Sequence, residues 1–100
     1  MPVPKDNMPP IHPREYLRDE LEELGMSARE LAEALGVPHN RIAAILRGQR
    51  AVTADTALRL AAYFDTSADV WMGLQKSYEL KTTEQEHGET IRSQVRRHVA

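Results

Sequence analysis

The sequence predicts an all-α protein of five helices with a C-terminal helical extension. Apolar residues recur at spacings of three and four along successive segments, which is the period of a helix with one buried face. Serine, threonine or proline precedes several of these segments and glycine follows them, as is typical of helix ends. A chain of 100 residues suits one domain with a modest core, and it has no cysteine for disulfides or thiolate metal sites.

The first helix is predicted from Pro13 to about Leu24, with His12 at its N-cap and Gly25 after its end. Its expected buried residues are Tyr16, Leu17, Leu21 and Leu24. Its solvent-facing side is expected to carry the acidic residues Asp19, Glu20, Glu22 and Glu23. These charges either keep the protein soluble or face a basic partner protein. Residues 1–10 contain four prolines and no periodicity, which predicts a flexible N-terminal arm.

Two short helices joined by a tight turn follow. Ser27 and Glu30 have the spacing of a capping box, which begins a helix, and Gly36 suits its left-handed end. Leu31, Ala34 and Leu35 are predicted on its buried face. Pro38 permits a new first turn, and Ile42, Ile45 and Leu46 give the next helix its apolar stripe. Small Ala32 allows a close crossing, so this stretch predicts a helix-turn-helix unit, whose second helix reads the DNA major groove.

Two further helices are predicted after Gly48, which closes the second helix of the unit. Val52 is expected in the core, and Thr53 caps a helix of roughly residues 54–64. In that helix Leu58, Leu60, Ala61 and Ala62 are expected to point inward, and Asp55 is spaced to pair with Arg59. Ser67 caps the fifth helix, in which Val70, Trp71, Leu74, Tyr78 and Leu80 recur at helical spacing. We expect Trp71 to pack in the core.

The end of the chain is more polar. Ile91, Val95 and Val99 recur every four residues, which predicts a weak last helix after Gly88. Three aliphatic side chains cannot bury themselves alone. They either fold back on the domain or meet a second copy of the chain, and the sequence does not choose between these.

The distribution of charge matters more than its sum. The net charge of −2 does not favour nucleic acid. However, residues 34–54 contain no Asp or Glu but include Arg41, Arg47 and Arg50. Such a window is often only a solvated surface. On a helix-turn-helix it predicts the basic patch that attracts phosphates.

Catalytic, metal and membrane functions have little support. The four histidines are scattered without ligand spacing, and no phosphate-binding loop, nucleophile elbow or zinc-protease motif occurs. We therefore expect no enzyme activity, no cofactor and no metal. No apolar run approaches the ~20 residues of a membrane span, and no signal-peptide pattern is present. These features predict a cytoplasmic protein that does not associate with membranes.

The motifs together resemble a known family. Residues 27–37 (SARELAEALGV) look like the XRE, or lambda-repressor-like, helix-turn-helix domain. The resemblance narrows to HigA-type antitoxins, the VapI branch, through residues 12–13 (HP), 48–50 (GQR), 55–61 (DTALRLA) and 71–75 (WMGLQ). It implies a five-helix lambda-repressor-like domain over residues 11–80. Residues 81–100 are then a partly helical extension for dimerisation or partner contact.

The resemblance also implies which residues touch DNA. The expected base-edge contacts are Pro38, His39, Asn40, Arg41, Ala43 and Ala44. The expected backbone contacts are Ser27, Ala28, Arg29, Arg47, Gln49 and Arg50. Three positions depart from the family pattern: Pro38 replaces the usual Ser or Thr cap, while Arg14 and Asp65 stand where glycine is common.

Three functions follow as hypotheses. The resemblance implies a homodimeric antitoxin that binds a palindromic operator in double-stranded DNA, represses its own operon and neutralises a RelE-like, mRNA-cleaving toxin. A stand-alone repressor without a toxin is the second hypothesis. The third is a protein-interaction module that has lost DNA binding, which the acid-free window argues against.

Overall fold

The computed structural model describes residues 8–99, and these fold into five α-helices without a strand. The helices are α1 (Arg14–Leu24), α2 (Ala28–Leu35), α3 (His39–Leu46), α4 (Ala54–Phe64) and α5 (Ala68–Gln94). The predicted all-α class is confirmed, with α2 and α3 forming the helix-turn-helix unit. Most of the predicted N-terminal arm, residues 1–7, lies outside the described residues.

The ends of the central helices follow the local signals in the sequence. The Ser27 hydroxyl accepts the Glu30 N–H, and the Glu30 carboxylate accepts the Ser27 N–H, both at 3.1 Å. Gly36 ends α2 in the left-handed conformation, with φ of +72°. Asp65 does the same after α4 with φ of +55°, so a residue other than glycine is tolerated there. Thr53 precedes α4 as predicted, but its side chain makes no capping bond.

The core lies where the first four helices meet the beginning of α5. Its buried members are Leu17, Leu21, Leu31, Ala32, Leu35, Ile42, Ile45, Val52, Ala57, Leu60 and Trp71. Ala32 is almost fully buried, in agreement with its predicted role at a close crossing of α2 and α3. Trp71 packs in this core, near the ring of Phe64 at the end of α4.

Several residues predicted in the core are exposed instead. They are Tyr16, Leu24, Ala34, Leu58, Ala62, Val70 and Leu80. The geometry of the helix explains the clearest cases. Leu58 is 64% exposed because Leu60, only two residues later, takes the inward direction, and residues two apart do not share a helix face. The buried residues of α4 are Thr56, Ala57, Leu60 and Ala61, whereas Leu58 and Ala62 lie together on the exposed side.

The predicted separate last helix is wrong, because α5 continues without a break through Gly88 to Gln94. The predicted domain boundary at residue 80 therefore falls inside α5. Gly88 is covered by an ion pair in which Arg92 Nη1 lies 2.8 Å from a Glu84 oxygen. This pair raises the pKa of the Arg92 guanidinium. Residues 84, 88 and 92 share one face, so the ion pair spans the glycine.

The three aliphatic residues predicted to form a stripe near the C-terminus are not buried within residues 8–99. Ile91, Val95 and Val99 are all exposed, so the predicted apolar stripe does not fold back on the domain. The protein is correspondingly elongated, with extents of 52 × 25 × 22 Å. None of the helices in residues 8–99 combines the length and the apolar character that crossing a bilayer requires.

Candidate nucleic-acid interface

The first turn of α3 is accessible from solvent. Ile42 and Ile45 fix α3 to the body with fully buried side chains. Pro38 and Asn40 are exposed, and His39, Arg41, Ala43 and Ala44 are half-buried. Of the six residues expected to contact bases, two are therefore exposed and four are partly covered by the rest of the protein.

No side chain caps the beginning of α3. Pro38 occupies the N-cap with extended backbone, and its carbonyl accepts the Arg41 N–H at 3.0 Å. The imidazole Nδ1 of His39 is buried, and it has no hydrogen-bond partner in the described part of the chain. Because proline stands at position 38 in place of the usual Ser or Thr, the first N–H groups of α3 have no side-chain acceptor.

The residues expected to contact the DNA backbone are also accessible. Ser27, Arg29, Arg47, Gln49 and Arg50 are exposed, and Ala28 is half-buried. Arg47 Nε donates to Gln49 Oε1 at 3.0 Å, so these two side chains are held together after α3. The hydroxyl of Ser27 is engaged in the capping box with Glu30.

Two arginines of α1 cap the carboxyl end of α3. Arg14 Nη1 donates to the Arg47 carbonyl at 2.9 Å, and Arg18 Nη2 donates to the Leu46 carbonyl at 3.2 Å. The last carbonyls of a helix lack partners within the helix, and cations near them also interact favourably with its dipole. Sequence reasoning missed both contacts. Arg14, at a position where the family commonly has glycine, thus has a structural role in this chain.

Gly48 makes the contact with Arg14 possible. It has φ of +74°, and a Cβ built there would lie 2.6 Å from Arg14 Nη1. Any other residue at position 48 would therefore adopt a strained backbone conformation and would displace the Arg14 guanidinium.

Two further residues hold the loop that follows α3. Gln75 of α5 accepts the buried Val52 N–H through Oε1 at 2.8 Å. His12 Nδ1 accepts the Arg14 N–H at 2.9 Å, and its ring meets Tyr78 edge to face at 4.9 Å. Burial lowers the pKa of His12, the charge of Arg14 adds to this effect, and a hydrogen bond to the Arg50 backbone opposes it.

Arg41 is held by an acidic residue from another helix. Arg41 Nη1 lies 2.6 Å from Asp55 Oδ1, and the Arg41 side chain is only 23% exposed. Arg59 Nε donates to the same oxygen at 2.8 Å, which confirms the predicted pair with Asp55. The hydrogen bonds from Arg59 and Arg41 lower the pKa of the Asp55 carboxyl. Sequence reasoning missed the link to Arg41, because no local signal connects positions 14 residues apart on different helices.

The described residues contain no group of three or more His, Cys, Asp or Glu side chains that could hold a metal ion. The two short helices α2 and α3, with the exposed Arg47 and Arg50 after α3, define a helix-turn-helix protein. The family model described as "Helix-turn-helix" matches residues 17–71.

Relatives of known name narrow the class. The chain is 51% identical to virulence-associated protein I of Dichelobacter nodosus over 87 residues, covering 86% of this chain and 81% of that protein. It is similar to antitoxin GraA solved in complex with its operator, with a TM-score of 0.88, 46% identity, and coverage of 98% of this chain and 100% of that one. It also resembles Pseudomonas aeruginosa antitoxin HigA solved with the higBA promoter, with a TM-score of 0.84, 45% identity, and coverage of 90% and 99%.

The chain belongs to the XRE-type helix-turn-helix family, in its HigA-type (VapI) branch. The resemblance drawn from the sequence is therefore confirmed. This family consists of DNA-binding regulators rather than enzymes, in agreement with the expectation from the sequence.

Proposed function

We propose that the protein is an antitoxin that binds the operator of its own operon as a homodimer, represses it, and neutralises a RelE-like mRNA-cleaving toxin. The observation that carries the DNA-binding part is the accessible first turn of α3, flanked by the exposed Arg47 and Arg50. GraA with its operator and HigA with the higBA promoter support the same role for this chain.

The base-reading surface is proposed to be Pro38, His39, Asn40, Arg41, Ala43 and Ala44. Asn40 suits the N6 and N7 edge of adenine, and Arg41 suits the O6 and N7 edge of guanine. The two alanines leave room for close approach and can contact a thymine methyl group. Each good bidentate contact contributes about 1–3 kcal/mol of discrimination against a wrong base.

The backbone contacts are proposed to be Ser27, Ala28, Arg29, Arg47, Gln49 and Arg50. The first N–H groups of α2 suit a phosphate, as do the arginines after α3. These contacts set the register and make the affinity depend on salt.

Dimerisation and toxin capture use other surfaces in this proposal. The exposed Ile91, Val95 and Val99 at the end of the chain offer an apolar stripe to a second copy. A symmetric dimer would hold its two α3 helices about 34 Å apart, one turn of DNA, on a palindromic operator. The acidic outer side of α1 is suited to a basic toxin. A protein that binds its own operator works where that DNA is, so we propose a cytoplasmic location.

Gel-shift titration against the region upstream of the gene, with competitor DNA at fixed salt, tests operator binding. Asn40→Ala combined with Arg41→Ala should abolish specific binding. The matched control is Lys76→Ala combined with Ser77→Ala, which removes one cation and one polar group from exposed positions of α5. If the first double variant binds as tightly as the parent, the assignment of α3 is wrong.

Co-purification with the product of the adjacent gene tests the antitoxin part. The toxin should copurify with the parent and equally with the double variant of α3, since toxin capture uses other surfaces. A chain that footprints its promoter but has no partner protein would be a stand-alone repressor. A chain that fails to bind DNA but binds a partner would be an interaction module.

A further inference from the structure

We propose that Asp55 is a positioning residue for DNA recognition, which holds the Arg41 guanidinium in the orientation that reads a base edge. This inference rests on the proposed function of α3. It assigns to an acidic residue outside the recognition helix a part in sequence discrimination.

The geometry is a chain of three hydrogen bonds that ends on rigid backbone. Arg41 Nη1 and Arg59 Nε both donate to Asp55 Oδ1, at 2.6 and 2.8 Å. Arg59 Nη1 in turn donates to the Leu35 carbonyl at the end of α2, at 2.8 Å. The side chain of Arg41 is thereby tied to α4 and, through Arg59, to the end of α2.

The hydrogen bond to Asp55 leaves two donors of the Arg41 guanidinium available to bind a base. A guanidinium has five N–H donors in a planar fork, and the bond to Asp55 engages only Nη1. The Nε and Nη2 donors remain as a pair with the spacing that binds guanine O6 and N7. A free arginine side chain would lose rotamer entropy when it bound, whereas this one is already restricted.

The charge of Asp55 has a second consequence. Asp55 directly follows the acid-free window of residues 34–54, so it is the first acidic residue after that window in the sequence. Its side chain is 56% exposed, and a carboxylate there repels phosphates of any sequence. Asp55 should therefore weaken non-specific binding and at the same time sharpen the reading of one base pair.

The test compares Asp55→Ala, Arg41→Ala and the double variant. Dissociation constants are measured at fixed salt for the operator, for operators with one base pair changed in each half-site, and for random DNA. Asp55→Ala should lower discrimination about ten-fold at a single base-pair position and should tighten binding to random DNA. Arg41→Ala should lose discrimination at the same position. In the Arg41→Ala background, Asp55→Ala should cause no further loss of discrimination.

Asp69→Ala is the matched control, because Asp69 is also an exposed acidic residue in the first turn of a helix. It should leave the discrimination pattern unchanged. Asp55→Asn keeps the shape of the side chain and should give a smaller loss at the same position, so the test does not depend on one variant folding. Thermal unfolding followed by circular dichroism, together with titration of the active fraction, corrects for any loss of folded protein.

Two results would overturn the proposal. One is a loss of discrimination spread over all base-pair positions, and the other is an effect of Asp55→Ala on discrimination at the single position that persists in the Arg41→Ala background. These results differ from the result expected if the proposed function itself is wrong. In that case the unaltered chain would bind its operator and random DNA equally.

Discussion

Gln75 in α5 accepts a hydrogen bond from the backbone N–H of Val52 at 2.8 Å, across 23 residues of sequence. Both residues are buried. The long C-terminal helix α5 therefore fixes the loop that follows α3. A buried N–H needs such a partner, since the loop has no regular backbone bonding at this point.

Replacing Gln75 by Met should destabilise the fold by about 1–3 kcal/mol, because the Val52 N–H would stay buried without an acceptor. Methionine has nearly the same volume, so a change in packing contributes little. The free energy of unfolding from urea titration checks this. Ser77→Ala, at an exposed position of the same helix, should change it by less than about 0.5 kcal/mol. A Gln75→Met variant as stable as the parent would mean that water satisfies the Val52 N–H.

Gly48 and Gly25 form a matched pair. Both have positive φ, +74° and +62°, but only a Cβ at position 48 would meet another group, the Arg14 guanidinium. Gly25→Ala should lose about 1–2 kcal/mol from left-handed strain alone. Gly48→Ala should lose more, because the bond from Arg14 to the Arg47 carbonyl must also break. In an Arg14→Ala background the two substitutions should have equal effects on the free energy of unfolding. A difference that persists there would contradict the role of Arg14.

His12 should make stability depend on pH. Its pKa is lowered in the folded state by burial and by Arg14, so the fold favours the neutral ring, which accepts the Arg14 N–H. The contribution is complete above the unfolded pKa of about 6.5 and is lost as pH falls towards the folded pKa. His12→Gln keeps an acceptor without titrating. It should therefore reduce the slope of unfolding free energy against pH below the unfolded pKa of about 6.5. The slope from one proton is at most about 1.4 kcal/mol per pH unit, and an unchanged slope would contradict the assignment.

Arg50 should contribute to DNA binding without sequence preference. Its side chain is exposed beside the recognition helix, and we propose that it binds a phosphate. Arg50→Ala should weaken binding to operator and to random DNA alike. It should also lower the slope of log affinity against log salt by about 0.9 for each phosphate that the arginine neutralises in the parent complex. Lys76→Ala, which removes an exposed cation from α5, should leave the slope unchanged. If Arg50→Ala instead relaxes the preference at one base pair, the residue reads a base.

Local signals predicted the elements well, because each acts within one helical turn. The Ser27 and Glu30 spacing, Gly36 and Ser67 all mark helix ends where the structure has them. The interruption predicted at Gly88 is wrong, because α5 continues through this glycine to Gln94. Glu84 and Arg92, on either side of the glycine, form an ion pair across it.

Choosing the inward residue was harder where two apolar residues lie close together. Val70 precedes Trp71, and Leu58 is two positions from Leu60, so the apolar pattern permits either member to be buried. The packing of neighbouring helices selects one direction, and this selection depends on contacts that are distant in sequence.

The sequence alone determined the helices, the helix-turn-helix unit and the family, because caps, glycine ends and helical spacing are properties of residues within a few positions of each other. Only the tertiary structure decided which groups support α3 and the loop that follows it. Arg14 and Arg18 reach the end of α3 from α1, Gln75 reaches the loop from α5, and Asp55 reaches Arg41 from α4. These contacts join side chains that only the packing of different helices brings within hydrogen-bonding distance, so no spacing along the chain encodes them.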